Sequence, residues 1–274
     1  MDKTYEMHTN DKYANINLPI IFHTTEIERK SFDYIHWHEN IEILFFTEGQ
    51  GETIIDENIC SSSAGDIVVI NSEELHSTRA TTDKVHYFCL IVDKEFCRNL
   101  NLYIDEQHIC NVIRDKEIFE KIYKINDELA KKDEFYVPAV TSTVISILTD
   151  LYRKYQFTKR KYVKNKNIEM VKSGISYIKK HFYEQPSVDD IANHAGYSKY
   201  YFCRCFKEIT GYTVNSYINS VKIEHAKELL TTHNQSVSEV SEICGFSDIS
   251  YFTKIFKKYT GVLPSKLKIK REGE

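Results

Sequence analysis

A chain of 274 residues can hold two domains with separate cores, and its make-up is that of an ordinary globular protein: 42% hydrophobic, 28% charged, with 9 Gly and 4 Pro. No apolar run approaches the length of a membrane span, and the polar N-terminus does not resemble a secretory leader. Membrane association is therefore not expected, and seven cysteines without regular spacing point to a reducing, cytoplasmic setting. The net charge of −4 is uneven: residues 1–159 carry 17 Lys+Arg against 28 Asp+Glu, and residues 160–274 carry 19 against 12. An acidic half joined to a basic half predicts one module that meets a polyanion and one that does not.

Residues 20–92 read as β structure. "IEILFFTEG", "ETIID", "GDIVVIN" and "VHYFCLIV" are short apolar runs separated by Gly, Asn, Asp and Ser, the pattern of a small barrel or sandwich. His36, His38 and Glu42 differ by even numbers, so one face of one extended segment would present all three. "GDIVVINSEELHS" supplies His76 after a further strand and turn. The spacing His36-x-His38-x3-Glu42-x6-Gly49, followed by Gly65-x5-Asn71 and His76, resembles the two cupin motifs, with Asn71 and Glu73 where cupins often carry Pro and Gly. Three imidazoles and a carboxylate suit a transition metal. They equally suit the polar lining of an organic-ligand pocket, or a structural hydrogen-bond network. No second catalytic group stands at recognisable spacing, so neither a cofactor nor an enzymatic activity is expected.

"EIFEKIYKINDELAKK" sets Ile118, Ile122, Ile125 and Leu129 on one helical stripe, and "VPAVTSTVISILTDLYRKY" does the same with Val140, Val144, Ile147, Leu148 and Leu151. Residues 158–167, basic and without apolar periodicity, read as a linker. Ile168, Val171, Ile175, Ile178 and Phe182 then open a helical domain.

That domain contains a repeat. "SVDDIANHAGYSKYYFCRCFKEITG" begins at Ser187 and "SVSEVSEICGFSDISYFTKIFKKYTG" at Ser236. The copies superpose at an offset of 49 up to Gly196 and Gly245, and at 50 from Tyr201 and Tyr251 onward. Each copy predicts a short helix closed by a left-handed glycine, a Ser N-cap (Ser198, Ser247) and a second helix. These are helix-turn-helix units, at 188–209 and 236–259. Between them "VNSYINSVKIEHAKELLTT" predicts a linking helix with Val214, Ile218, Val221, Leu229 and Leu230 on its stripe. At ~1.5 Å per residue it would span roughly 28 Å, close to the ~34–36 Å separating successive major-groove segments on one face of DNA. In the second helix of each unit Phe202, Phe206 and Ile209, and Phe252 and Phe256, are expected in the core. Lys199, Tyr200, Cys203, Arg204 and Lys207 would then face outward, as would Ile249, Ser250, Thr253, Lys254 and Lys257. Arg204 has the fork that reads guanine O6 and N7 together, while Lys207 and Lys257 suit phosphate.

Over residues 168–269, "GYSKYYFCRCFKEITG", "KIEHAKELL", the second repeat and "VLPSK" resemble the AraC/XylS family of bacterial transcription regulators. Lys222 stands where that family usually has Arg, and Lys266 or Lys268 near its usual final Arg. The resemblance implies an α+β protein of two domains: a cupin-like β-barrel with flanking helices, then an all-α domain with two helix-turn-helix motifs joined by a linker helix. It implies residues 1–95 as the ligand-sensing domain, 96–157 as a helical dimerisation region, 158–167 as the linker and 168–269 as the DNA-binding domain. The base-facing positions would be Tyr200, Cys203, Arg204, Ile249, Ser250, Thr253 and Lys254. The implied partners are double-stranded promoter DNA, a small-molecule effector of the sugar class bound at His36, His38, Glu42 and His76, a second copy of the chain, and RNA polymerase in an activating role.

Overall fold

The structure is a computed structural model, described here for residues 18–29, 35–157, 165–232 and 235–267. It divides into two compact units, residues 1–163 and 164–274. Most of the expected linker lies outside the described residues; its last positions, Asn165 to Asn167, cap and begin a helix.

In the first unit seven strands lead: β1 (Ile20–Glu28), β2 (Ile41–Glu48), β3 (Gln50–Ile55), β4 (Asn58–Ser63), β5 (Ile67–Ile70), β6 (His76–Ala80) and β7 (Lys84–Val92). There follow α1 (Lys94–Asn99), the short strands β8 (His108–Ile109) and β9 (Val112–Ile113), α2 (Lys116–Lys131), α3 (Tyr136–Tyr155) and β10 (Gln156–Phe157). A five-stranded antiparallel sheet runs β1-β7-β2-β5-β9, a three-stranded one runs β4-β3-β6, and β10 pairs with β8. Period-two alternation sorts the large sheet's side chains into two cores. Ile41, Ile43, Phe45, Ile67, Val69, Phe88, Leu90 and Val92 pack with Ile118, Ile122, Ile125, Leu129 and the Val140–Leu151 stripe of α2 and α3. Leu44, Phe46, Val68, Ile70, Tyr87, Cys89 and Ile91 pack with Ile55 and Ala80 of the small sheet. With both faces covered, β2 is buried from Ile41 to Phe46, which is why it reads as an unbroken apolar run.

The second unit holds α4 (Lys166–His181), a 3-10 turn (Phe182–Glu184), α5 (Val188–His194), α6 (Lys199–Thr210), α7 (Val214–Thr232), α8 (Val237–Ile243), α9 (Ile249–Thr260) and α10 (Pro264–Leu267). Both short helices open with a capping box, Ser187 with Asp190 and Ser236 with Glu239. Gly196 and Gly245 take φ of 81° and 70°, as expected of residues that end those helices. The second cap differs from expectation: Ser198 occupies the N-cap of α6, but at α9 the cap is Asp248, not Ser247, and its carboxylate accepts from the Tyr251 N–H. In α6, Ile209 is only half-buried; Cys205 and Thr210 join Phe202 and Phe206 inside.

The linking helix α7 has no single buried stripe. Val221 is half-buried, while Tyr217, Ser220, Lys222, Ile223 and Ala226 are buried. The helix changes partner along its length. Tyr217 meets Phe206 of α6 edge-on at 5.5 Å, whereas Ile223, Ala226, Leu229 and Leu230 share a core with Val240, Phe252 and Phe256. Lys222 sits where the two contacts meet. It is directed inward, its Nζ donating to the Gly245 carbonyl at 2.7 Å and lying 5.1 Å from the Phe246 ring centroid. Burial holds its amine below the ordinary lysine pKa, against an opposing pull from Cys244. The position thus closes the turn of the second helix-turn-helix from within.

Two substitutions test this packing. Gly174 on α4 lies against the fully buried Phe202 ring; a Cβ there would come within 2.7 Å of Phe202 Cε2. Gly174→Ala should therefore lower thermal stability by about 1–3 kcal/mol through overpacking, more than the ~1 kcal/mol that alanine gains as a helix former. A melt at or above wild type would refute the contact. Lys222→Met should cost about 1–3 kcal/mol by leaving the buried Gly245 carbonyl without this donor, and an unchanged melt would show that the bond contributes nothing.

Candidate nucleic-acid interface and histidine cluster

Helices α6 and α9 are amphipathic in the same way. Phe202, Cys205 and Phe206 on one, and Phe252, Ile255 and Phe256 on the other, face the core. On the opposite faces Lys199, Tyr200, Arg204 and Lys207 are exposed, as are Ile249, Ser250, Lys254 and Lys257; Cys203 and Thr253 are half-buried at the edges. Tyr200 is 79% exposed and Ile249 46%, so large apolar or aromatic groups stand in water among cations. The Arg204 guanidinium lies over the Tyr201 ring at 5.2 Å and 4.0 Å from the Glu208 carboxylate, which steadies the fork without covering it. Lys199 is ion-paired with Asp189 at 2.6 Å, which raises its pKa; a phosphate would have to compete with that carboxylate. Lys266 lies in α10, and Lys268 falls outside the described residues.

The second constellation lies in the first unit, and its geometry differs from one extended segment. His36 and His38 precede β2 in irregular chain, and only Glu42 is on the strand, with the parity of Leu44 and Phe46. His36 is held by an isolated β-bridge to His76 at the start of β6, with backbone N···O distances of 2.8 and 2.7 Å. A bend at Glu39–Asn40 returns the His38 ring toward the strand. The four side chains converge: one potential ligand atom from each of His36, His38, Glu42 and His76 lies within 4.8 Å of every other. His38 Nε2 is 2.9 Å and His76 Nε2 3.2 Å from the same Glu42 oxygen, and the His36 and His76 ring centroids are 4.2 Å apart. Cys89 on β7, which the sequence does not single out, donates its thiol to the other Glu42 oxygen at 3.3 Å. His38, Glu42 and His76 are buried and His36 half-buried. Burial pushes the Glu42 carboxyl up, but the hydrogen bonds and charges of His38 and His76 outweigh it and hold the group well below the usual carboxylate range.

The motif departures have a structural reading. Asn71 donates its backbone and side-chain N–H groups to Glu74, and Glu73 adopts a φ of 66°, the left-handed conformation in which glycine is unstrained. The seven cysteines are free thiols, and burial pushes Cys97 and Cys244 up to about 12, far from thiolate chemistry at neutral pH. No helix among the described residues is long and apolar enough to cross a membrane.

Known proteins match both units. The family model of the AraC-like ligand binding domain covers residues 17–134, and that of a helix-turn-helix domain covers residues 191–269. The chain is 24% identical over 272 residues to YdeC, an uncharacterized HTH-type transcriptional regulator of Bacillus subtilis (strain 168), covering 92% of each chain. It is 23% identical to an HTH-type transcriptional regulator of Staphylococcus aureus (strain COL), over 87% of this chain but only 32% of that longer one. Among solved structures, an apo variant of ToxT from Vibrio cholerae strain SCE256 superposes with a TM-score of 0.53 at 13% identity, over 90% of this chain and 96% of that one. ToxT from Vibrio cholerae O395, bound to (E)-4-(8-methylnaphthalen-1-yl)but-3-enoic acid, gives 0.52 at 14% identity, over 90% and 97%. A β-rich domain matching the AraC-like ligand-binding model, followed by paired helix-turn-helix units, makes this chain a member of the AraC family of DNA-binding transcription regulators.

Proposed function

We propose that the protein is a cytoplasmic, sequence-specific regulator and not an enzyme, and that a small-molecule effector received by its N-terminal unit sets its affinity for promoter DNA. The observation that carries this reading is the paired presentation of α6 and α9, each anchored by buried phenylalanines and each offering a polar, cationic face. Arg204 reads guanine through its fork, with Tyr200 and Cys203 beside it. Ile249, Ser250, Thr253 and Lys254 read the second groove segment with less discrimination, because an ammonium is a point charge. Lys199, Lys207 and Lys257 grip phosphates and fix register.

The effector acts by binding the DNA-competent and incompetent arrangements with different affinity. Its receiving site is the cluster of His36, His38, Glu42 and His76. A sugar is the class the family resemblance names, and the naphthalenyl-butenoic acid seen in ToxT makes a small organic acid the second class to test. The region 96–157 supplies the homodimer contact. The inner stripes of α2 and α3 are used in the unit's own core, so the contact falls on groups such as Tyr123 and Phe135, which are 45% and 72% exposed. RNA polymerase is the further partner in an activating role.

Binding to cognate and scrambled duplexes across a salt series tests the DNA face. Arg204→Ala should lose about 1–3 kcal/mol on cognate DNA and little on scrambled DNA, relaxing preference. Lys257→Ala should weaken both alike and reduce the salt slope by about 1. Equal losses on the two duplexes for Arg204→Ala would remove it from base reading. Thermal shift against a panel of sugars and small organic acids tests the effector class; a compound that stabilises wild type and His38→Ala equally would place the effector outside the cluster.

A further inference from the structure

We propose that Tyr201, braced by Asn167 of α4, orients the Arg204 guanidinium and so sets how sharply α6 distinguishes guanine. The inference rests on the proposed base reading by Arg204 and adds the residues that aim it. A guanidinium stands several free torsions away from its backbone, and bidentate reading of O6 and N7 needs its plane in one orientation. Arg204 is exposed, so no core packing supplies that orientation. The Tyr201 ring does. It lies 5.2 Å from the guanidinium carbon, within the ~6 Å over which a ring face holds a cation. The Glu208 carboxylate, at 4.0 Å and mostly in water, adds little.

A ring can aim a cation only if it is itself held, and Tyr201 is held from several sides. Its hydroxyl donates to Asn167 Oδ1 at 2.9 Å and meets the buried Cys205 thiol one turn on. Its ring stacks on Tyr197 at 5.6 Å, with the planes 17° apart. Asn167 is fixed in turn, since its backbone N–H donates to the Asn165 side chain that caps α4. The first turn of α4, the turn before α6 and α6 itself thus converge on one ring. The second repeat has the same brace without the fork. Tyr251, which matches Tyr201, accepts from Asn219 of α7 at 3.3 Å, and among the described residues no cation lies over its ring. Lys254, which matches Arg204, is a compact charge with no plane to orient. In both repeats a tyrosine is tied to the long helix before it, and at α6 that tie has a guanidinium to aim. Because α4 follows the stretch joining the two units, the aim of Arg204 depends on where the first turn of α4 lies.

The test uses the full-length chain and a duplex that the wild type selects from a randomised library. Each guanine of that duplex is replaced in turn by 7-deazaguanine, which lacks the N7 acceptor and keeps the base pair. Wild-type binding should weaken on the order of tenfold at one guanine or more, and Arg204→Ala should be indifferent to the change there. Tyr201→Leu should shrink that penalty about two- to fivefold, whereas Tyr251→Leu, at the matching position of α9, should leave it whole. Tyr201→Phe and Asn167→Ala break the same hydrogen bond and keep the ring. Each should shrink the penalty by the same smaller factor, and the double variant no further. A tyrosine that only packs would weaken natural and 7-deaza duplexes alike, with the penalty unchanged. An undiminished penalty in Tyr201→Leu, or equal erosion by Tyr251→Leu, would overturn the inference while base reading by Arg204 stands. Should Tyr201→Leu not fold, an undiminished penalty in Tyr201→Phe decides the same way. If the wild type selects no preferred duplex, or Arg204→Ala keeps every guanine's penalty, base reading and this inference fall together.

Discussion

Strand β2 cannot be exposed on either face, and much of the first unit follows from that. Ile41, Ile43 and Phe45 require a cover of apolar side chains, which α2 and α3 supply from stripes of matching period; Leu44 and Phe46 require another, which the small sheet supplies. Five residues of that run are 0–1% exposed, so substitution by a smaller side chain leaves a void that the tightly packed surroundings fill only in part. Glu42 has the parity of the inner set. The same constraint that buries its neighbours carries a carboxylate into the interior, where it must find compensating groups. His38, His76 and Cys89 converge because the strand gives that charge no route to water.

In the second unit the corresponding constraint is continuity of α7. One helix seals two small cores by giving its first turns to α6 and its last turns to α8 and α9. At the crossover a lysine is bonded to the Gly245 carbonyl inside the protein.

Much of this was legible in the sequence, for reasons that differ by element. The stripe of α2 was complete, residue for residue, and that of α3 lacked only Tyr152, because each helix buries one face in the same core. The stripe of α7 was not, because a helix that changes partner has two half-stripes of different phase, and Val221 falls between them. Ser247 was read as the second cap, whereas the offset of 50 that holds from Tyr201 and Tyr251 onward aligns Ser198 with Asp248, one residue later in the second turn. The trio of His36, His38 and Glu42 was recognisable as a group, although the chain brings it together through a bend and a bridge instead of a straight strand. Cys89 carried no local signal; its partner is 47 residues away and only strand pairing brings them together.

The two helices proposed as reading heads are unequal, which gives the second unit a direction. Arg204 and Lys254 occupy corresponding exposed positions on α6 and α9, and the single helix α7 fixes which head follows which along the chain. A symmetric dimer of one head reads a palindrome and sits on it equally well either way round. One chain with unlike heads reads a sequence with a left and a right end. Were the two faces to read DNA as proposed, inverting such a site relative to the start of a gene would reverse the order in which the heads meet the transcription machinery, and the orientation of the operator would be part of its meaning.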